Sequence, residues 1–576
     1  MRLVTLLASA LLATTVEGLG RSPQHAGKRF AEHIAKRARP VINSGHDQHV
    51  YARDSSNVAR FLNANTAKFA VDGKNIPDVD FDAGESYAGL LPISNDPNED
   101  GNLFFWFFPS SNPAAEKEIL IWLNGGPGCS SFEGLLQENG PFLWQYGTLK
   151  PVKNPWSWHT LTNVVWVEQP VGTGFSTGTP SITSEEELAE QFLGWWKNFV
   201  DTFSVQGYKV YIAGESYAGF YCPYIANAML EAEDTTYFDM SGMTIYDPVL
   251  THDPIGGTIP VVQFVEYWQG LFPFNDTFRA DIKARDEKCG FSAWMSKYLV
   301  YPPQGPIPMP LPGTDANGTM LEECENIYWD IFDAITELNP CFDIYQVATT
   351  CPLLYDVLGF PGSFDYLPEG GQIYFDRADV KAAIHAPADA TWEECNSGPP
   401  VFLNNTDTSV PSSLSVLPNV IDKTQNVIIA HGALDMILIA NGSLIAIQNM
   451  TWGGQLGFQN RPDQPFYVPR NNITTASTLA AAGVFGSMAS ERGLTYVTVN
   501  LAGHMVPQYA PSAAYRQLEF MLGRVNCMNC TVPFTIDVDT PQSEEELGFG
   551  TAPQGWSYGF VEGTPKNGSS FLRRFR

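Results

Sequence analysis

Five short runs of nearly continuous apolar residues punctuate the chain, at 118–123 (Glu-Ile-Leu-Ile-Trp-Leu), 163–167, 209–213, 426–430 and 495–499. Runs of this length without polar alternation fit strands of a parallel sheet covered on both faces, since neither face then meets water. Stretches of helical period lie between them. Ser184 is placed to cap one, with Glu185, Glu186 and Glu187 in its first turn and the helical pattern continuing over 188–203. Another such run covers 220–231. Alternating strands and helices predict an α/β fold around a central, mostly parallel sheet. The alternation lapses over 250–370, where Pro and Gly are frequent and Cys289, Cys324, Cys341 and Cys351 cluster. This stretch reads as a disulfide-rich cap inserted between two parts of the core, 50–249 and 371–530, with 531–576 as a C-terminal extension.

The N-terminal region changes the picture. Arg2, an apolar run over 3–13 and small or polar residues up to position 18 read as a secretory signal peptide, too short to span a bilayer. Residues 19–49 are basic in an otherwise acidic chain and hold the pairs Lys28-Arg29 and Lys36-Arg37, so they read as a pro-segment or as a basic arm. Export predicts disulfides among the 9 Cys, whose odd number leaves at least one thiol unpaired within the chain. Sequons at Asn275, Asn317, Asn404, Asn441, Asn449, Asn472, Asn529 and Asn567 predict N-glycosylation. The expected location is outside the cell, or in a vacuole or lysosome-like compartment reached by the secretory route. A net charge of -29 argues against nucleic acid as a partner, because phosphate binding needs clustered Lys and Arg. The same charge fits either an acidic compartment or plain solubility. No membrane span is read, and the sequence carries no reading of oligomeric state.

The chemistry starts at Gly214-Glu-Ser-Tyr-Ala-Gly219, between the strand ending near 213 and the helical run from 220. Strand, sharp turn and helix is the setting of a nucleophile elbow, and the small residues Gly214 and Ala218 leave room for it. The pattern departs from G-x-S-x-G in having Ala218 before Gly219. Ser216 is the expected nucleophile, and it needs a base. In α/β-hydrolases an acid and then a His follow the nucleophile in chain order. The run 426–430 leads to His431-Gly-Ala-Leu-Asp435, and 495–499 leads to Ala502-Gly-His504. Of the 9 His, only His504 has both the order and the strand-end position, so His504 and Asp435 complete the expected triad. His431 lacks the order. The Gly-rich loop within 122–131 offers backbone N–H groups to a tetrahedral oxyanion, with the N–H of Tyr217 as second donor. No H-E-x-x-H or paired C-x-x-C framework supports a metal site, and the lone Cys527-Met-Asn-Cys530 reads as a disulfide or as cysteines left over from other pairings rather than as a zinc site, its pairing open.

Together, Asn124-Gly-Gly-Pro-Gly-Cys-Ser-Ser131, Glu168-Gln-Pro-Val-Gly-Thr-Gly-Phe-Ser176, Gly214-Glu-Ser-Tyr-Ala-Gly219 and Gly503-His-Met-Val-Pro507 make the chain resemble the serine carboxypeptidases, from about residue 50 to 525. In that family Ala218 is the usual residue. The resemblance implies an α/β-hydrolase fold, no cofactor, and peptide and protein C-termini as substrates. It implies the triad Ser216, Asp435 and His504, an oxyanion hole from the N–H groups of Gly126 and Tyr217, and a Cys129–Cys395 disulfide. It further implies that Asn124, Gly125, Glu138 and Glu215 hold the substrate's terminal carboxylate. Two carboxyls facing a carboxylate must be at least partly protonated, so peptide KM is expected to rise from acidic to neutral pH. An esterase, lipase or acyltransferase on the same scaffold would have no use for this carboxyl set, and a binding glycoprotein with a dead site would not retain the whole triad.

Overall fold

The computed structural model describes residues 59–354, 356–359, 372–469 and 482–535. The expected signal peptide and pro-segment, Asn472, Asn567 and nearly all of the C-terminal extension lie outside these residues.

Eleven strands form one sheet: β1 (Ala70–Val71), β2 (Ser86–Pro92), β3 (Asn102–Phe108), β4 (Glu118–Leu123), β5 (Asn163–Glu168), β6 (Lys209–Glu215), β7 (Asp239–Tyr246), β8 (Val427–Gly432), β9 (Gln464–Val468), β10 (Gly483–Glu491) and β11 (Leu494–Val499). Their order is β1-β2-β3-β5-β4-β6-β7-β8-β11-β10-β9. The six strands β5-β4-β6-β7-β8-β11 pair in parallel. Antiparallel strands extend both edges. Every residue of β4, β5 and β8 is buried, which is why these strands read as unbroken apolar runs. Alternate side chains enter separate cores on the two faces: Phe105, Phe107, Ile119 and Ile121 on one, Phe104, Trp106, Leu120 and Trp122 on the other.

Helix α1 (Glu185–Phe203) starts where Ser184 Oγ accepts the Glu187 N–H. It lays Leu188, Phe192, Trp195, Trp196 and Phe199 on the first face, beside α2 (Ala218–Glu231). After β7 the chain leaves the sheet for α3 (Val261–Tyr267), α4 (Asp276–Cys289), α5 (Phe291–Tyr298) and α6 (Glu322–Leu338). The part of this region over 261–338 is thus helical, with a Pro-rich connector between α5 and α6. It has its own apolar cluster, including Phe264, Phe272, Ile282, Phe291, Ile327 and Ile331, which continues into Leu434, Met436, Ile439 and Ile445. Disulfides Cys289–Cys324 and Cys341–Cys351 staple it. A third bridge joins Cys527 to Cys530, and Cys222 is a free, buried thiol. The chain returns through α7 (Leu417–Thr424), β8, α8 (Ala440–Gln448) and, after β11, α9 (Pro511–Met521), which packs on the second face. This is an α/β-hydrolase architecture carrying a helical insertion. Among the described residues no helix is long and apolar enough to cross a membrane. Asn275, Asn317, Asn404 and Asn529 are exposed, whereas Asn441 and Asn449 are half-buried.

Candidate active site

Strand β6 ends at Glu215 and α2 begins at Ala218, so Ser216 sits in a turn of two residues. Its φ is 60°, in the left-handed region that disfavours a residue with a Cβ. The backbone is pinned there: Ser216 N donates to Tyr246 O at 2.9 Å, and Ser216 O accepts from Gly219 N and Val249 N, both at 2.9 Å. Small neighbours are obligatory. A Cβ on Gly214 would stand 2.5 Å from Leu123 O and 2.7 Å from the Ala218 Cβ, and one on Gly219 would stand 2.2 Å from Val249 O.

Asp435 follows β8 and His504 follows β11. His504 Nδ1 lies 2.8 Å from Asp435 Oδ2. A carboxylate can only accept, so Nδ1 carries the proton and Nε2 is the basic nitrogen. Asp435 Oδ1 accepts from Ile437 N at 2.9 Å and Leu438 N at 3.3 Å. His504 N donates to Tyr345 O at 2.8 Å, and the Tyr345 ring meets the imidazole edge-on with centroids 5.1 Å apart. Ser216 and His504 line one cavity of about 130 Å³ together with Asn124, Gly125, Gly126, Glu133, Glu215 and Glu394.

The loop after β4 presses directly on the Ser216 turn: a Cβ on Gly125 would lie 2.4 Å from Tyr217 N and 2.7 Å from the Ser216 Cβ. Gly126 has φ 111°, a conformation that favours glycine. The loop is clamped by the Cys129–Cys395 disulfide and by Ser130 N to Glu394 O at 2.7 Å and Asn396 N to Gly128 O at 3.0 Å. Glu168 braces it from below. Its carboxyl accepts from Ser130 Oγ, from Trp392 Nε1 at 3.0 Å and from Phe175 N at 2.6 Å, while burial pushes its pKa up to about 7. The motif 168–176 therefore acts as scaffold for the loop.

Beside Ser216 lies a cluster of buried acids. Asn124 is fully engaged: its Oδ1 accepts from Trp122 Nε1 at 2.7 Å and Gly134 N at 3.2 Å, and its Nδ2 donates to Glu133 Oε2 and Glu215 Oε1, both at 2.7 Å. The carboxyls of Glu133, Glu138 and Glu215 come within 4.8 Å of one another. Both oxygens of Glu138 and Oε2 of Glu215 lack a hydrogen-bond partner with good geometry. Burial is the largest cause holding all three above the ordinary carboxylate range. Glu215 is pushed up to about 8, with the Asp435 charge adding to burial against the lowering effect of bonds from Glu138 and Asn124. Like charge from Glu215 adds to burial at Glu133 and Glu138. Three such carboxyls have the spacing of a cation site, but neutral acids suit hydrogen-bond donation to an anion better than metal ligation.

A family model described as "Serine carboxypeptidase" matches residues 77–523. The chain belongs to the serine carboxypeptidase family. It is 55% identical over 516 residues to the "Probable serine carboxypeptidase" of Arthroderma benhamiae, covering 88% of this chain and 94% of that protein. It is 42% identical to the "Serine-type carboxypeptidase F" of Aspergillus niger, covering 90% and 98%. Among solved structures, a prohormone-processing carboxypeptidase from Saccharomyces cerevisiae superposes with a TM-score of 0.62 at 22% identity, over 80% of this chain and 96% of that one, a likeness of fold. The chain is accordingly a serine-type carboxypeptidase, a hydrolase acting on peptides.

Within this carboxypeptidase the residues singled out from sequence converge, with two differences. Asn124, Gly125 and Glu215 line the cavity, but Glu138 stands behind its wall, and Glu133, which sequence reasoning passed over, stands on it. Residues 134–138 form a π-helical turn, with Asn139 N donating to Gly134 O at 2.9 Å. That turn brings residues five apart to one side, whereas an α-helix would turn them away from each other. The second difference is His431. Set aside on chain order, it is completely buried next to the triad, with Nδ1 2.9 Å from Asp247 Oδ1 and Nε2 2.8 Å from Ser443 Oγ.

Proposed function

We propose that the carboxypeptidase reaction runs through an acyl-enzyme on Ser216, most effectively at acidic pH. His504 Nε2 takes the Ser216 proton as Oγ attacks the last peptide carbonyl, and Asp435 fixes the tautomer and stabilises the imidazolium. The N–H groups of Gly126 and Tyr217 receive the oxyanion. His504 then protonates the departing amino acid, and water, deprotonated by the same imidazole, releases the shortened peptide. The observation that carries this reading is the cluster of buried carboxyls around Asn124, two of them on the wall of the cavity that also holds Ser216, with burial favouring their neutral forms. Protonated Glu215 and Glu133 would donate to the substrate's terminal carboxylate, with Gly125 packed beside it and Glu138 storing a proton behind. No cofactor has a part in these steps. The exposed sequons, the disulfides and the signal-like N-terminus support a glycosylated protein of the secretory pathway, extracellular or vacuolar, with 1–18 removed, 19–49 as pro-segment and 250–370 as cap.

The test is amino-acid release at about pH 5 from an N-blocked peptide with a free C-terminus, beside its C-terminal amide, for wild type and Ser216→Ala. Sequential release from the free acid, strongly reduced by amidation and abolished in the variant, is expected. Release indifferent to amidation would overturn the carboxylate reading. Cleavage of a simple ester through Ser216 with neither peptide touched would favour an esterase or acyltransferase.

A further inference from the structure

Asp247 closes β7 and faces the end of β8. Its N–H donates to Ala430 O at 2.8 Å, and its two carboxyl oxygens accept from Gly432 N at 2.9 and 3.1 Å. Its φ is 42°, so the backbone is held in a sparsely populated region at this one point. One oxygen of Asp247, one of Asp435 and a ring nitrogen of His504 all lie within 4.8 Å of one another, and all three residues are buried. Asp435 already accepts from His504 Nδ1, Ile437 N and Leu438 N.

We infer that Asp247 is a positioning residue for the triad: a second buried carboxyl that donates a hydrogen bond to the Asp435 carboxylate, so that one negative charge rather than two stands behind His504. The inference rests on reading Asp435 and His504 as orienter and base. The groups bearing on Asp247 are Asp435 and Glu215, His504, His431, Tyr246 and Tyr496. None of these is a permanent cation. Burial, with the His504 charge, lowers His431 to about 3, so it is neutral in the working range and offers no counter-charge. Its Nδ1 is close to Asp247 but off the line of a made hydrogen bond. Burial and the adjacent Asp435 hold Asp247 well above the ordinary Asp range. Two ionised carboxylates side by side would repel each other and set a second buried negative charge beside the imidazole with no cation to balance it. A neutral Asp247 avoids that, while its O–H spreads the Asp435 charge. The series Asp247, His431, Ser443 repeats the residue types of the triad, but Ser443 is buried away from the cavity that holds Ser216, so the series has no access to substrate.

The experiment is the pH profile of kcat for peptide release in wild type, Asp247→Asn and Asp247→Ala, with His504→Ala as reference and near-ultraviolet circular dichroism as the check on folding. Asn keeps a donor and carries no charge, so kcat should stay within about threefold and the acidic limb should not move. Ala loses the donor, so kcat should fall about tenfold or more with KM within about twofold. An acidic limb that moves down by about one unit in Asp247→Asn means that Asp247 is ionised in the wild type, and overturns the inference. So does a loss in Asn as large as that in Ala, or a wild-type kcat in Ala. Where Ala does not fold, the position of the Asn limb decides alone. Activity surviving in His504→Ala would overturn the triad reading itself, which the Asp247 arms do not address.

Discussion

Glu215 gives the sharpest measurable consequence of the buried acids. On the proposed reading, a neutral Glu215 would donate to a substrate carboxylate, and an ionised one would face that carboxylate across a few ångströms. Two unit charges about 4 Å apart repel by about 4 kcal/mol at an effective dielectric of about 20. That is nearly a factor of about 10³ in affinity, so only the protonated enzyme counts for binding. With Glu215 titrating at about 8, the KM of a free-acid peptide should be level near pH 5–6, about double by pH 8 and rise about tenfold by pH 9. Ionisation of Glu133 and Glu138, also held above the ordinary range, adds to the rise and begins it earlier. The assay is steady-state release from a blocked peptide at fixed ionic strength, with KM and kcat separated at each pH and the C-terminal amide as partner substrate. The amide has no carboxylate to repel, so its KM should stay level and the ratio of the two should carry the effect. In Glu215→Gln the step near pH 8 should vanish, leaving only what Glu133 and Glu138 contribute. A free-acid KM flat from pH 5 to 9, or a wild-type curve retained in Glu215→Gln, would refute the reasoning.

Other outcomes follow from the same contacts. Glu168, Asp343 and Asp356 are pushed by burial to about 7, 7 and 6, as Glu215 is to about 8. The native state thus holds protons that the unfolded chain has released above about 4.5, so stability is greatest on the acidic side and is lost as pH rises through 6–8; Tm by scanning calorimetry should be several degrees higher at pH 5 than at pH 8. Trp122→Phe removes the donor to Asn124 Oδ1, leaving a buried acceptor one partner short, so KM should rise about 3- to 10-fold in steady-state assays with kcat nearly unchanged. Replacing Cys289 and Cys324 by Ser opens a link across 35 residues between α4 and α6, which by loop entropy costs the cap about 4 kcal/mol, and limited proteolysis should then cut within 250–340 before the sheet.

What could be read from sequence divides along physical lines. The core strands were legible because burial on both faces removes the polar alternation, as in β4, where all six residues are buried. β7 begins Asp239-Met-Ser-Gly, with the carbonyl of Ser241 taken by the Asn426 amide, and so gave no apolar run. The antiparallel edge strands β9 and β10, with several exposed positions, blurred likewise. Cap helices such as α6 were obscured by their neighbours, although α6 itself buries a regular stripe of Cys324, Ile327, Tyr328, Ile331 and Ile335. The triad was legible because chain order and strand ends constrain it. Glu133 was not, because only a π turn brings it beside Glu138. Asp247 and His431 were not, because their pairing depends on strands β7 and β8 lying side by side, a contact between residues 184 positions apart in the chain.

The two buried acid groups flank the nucleophile with opposite electrical character, and that asymmetry links fold to reaction. On one side burial holds Glu133, Glu138 and Glu215 above the ordinary carboxylate range, so on the proposed reading the incoming carboxylate meets donors. On the other, Asp435 accepts three hydrogen bonds, and in the proposed mechanism its carboxylate supports the imidazolium formed when Ser216 attacks. Each arrangement requires the other. On the proposed reading an ionised Glu215 would repel the substrate carboxylate, and loss of the Asp435 carboxylate would leave the imidazolium uncompensated. Glu215 ends β6 directly before Ser216, so the strand end that carries the strained turn also brings the adjacent carboxyl to the cavity. Loosening that turn, for example by Gly219→Ala against Val249 O, should therefore degrade KM and kcat together rather than either alone.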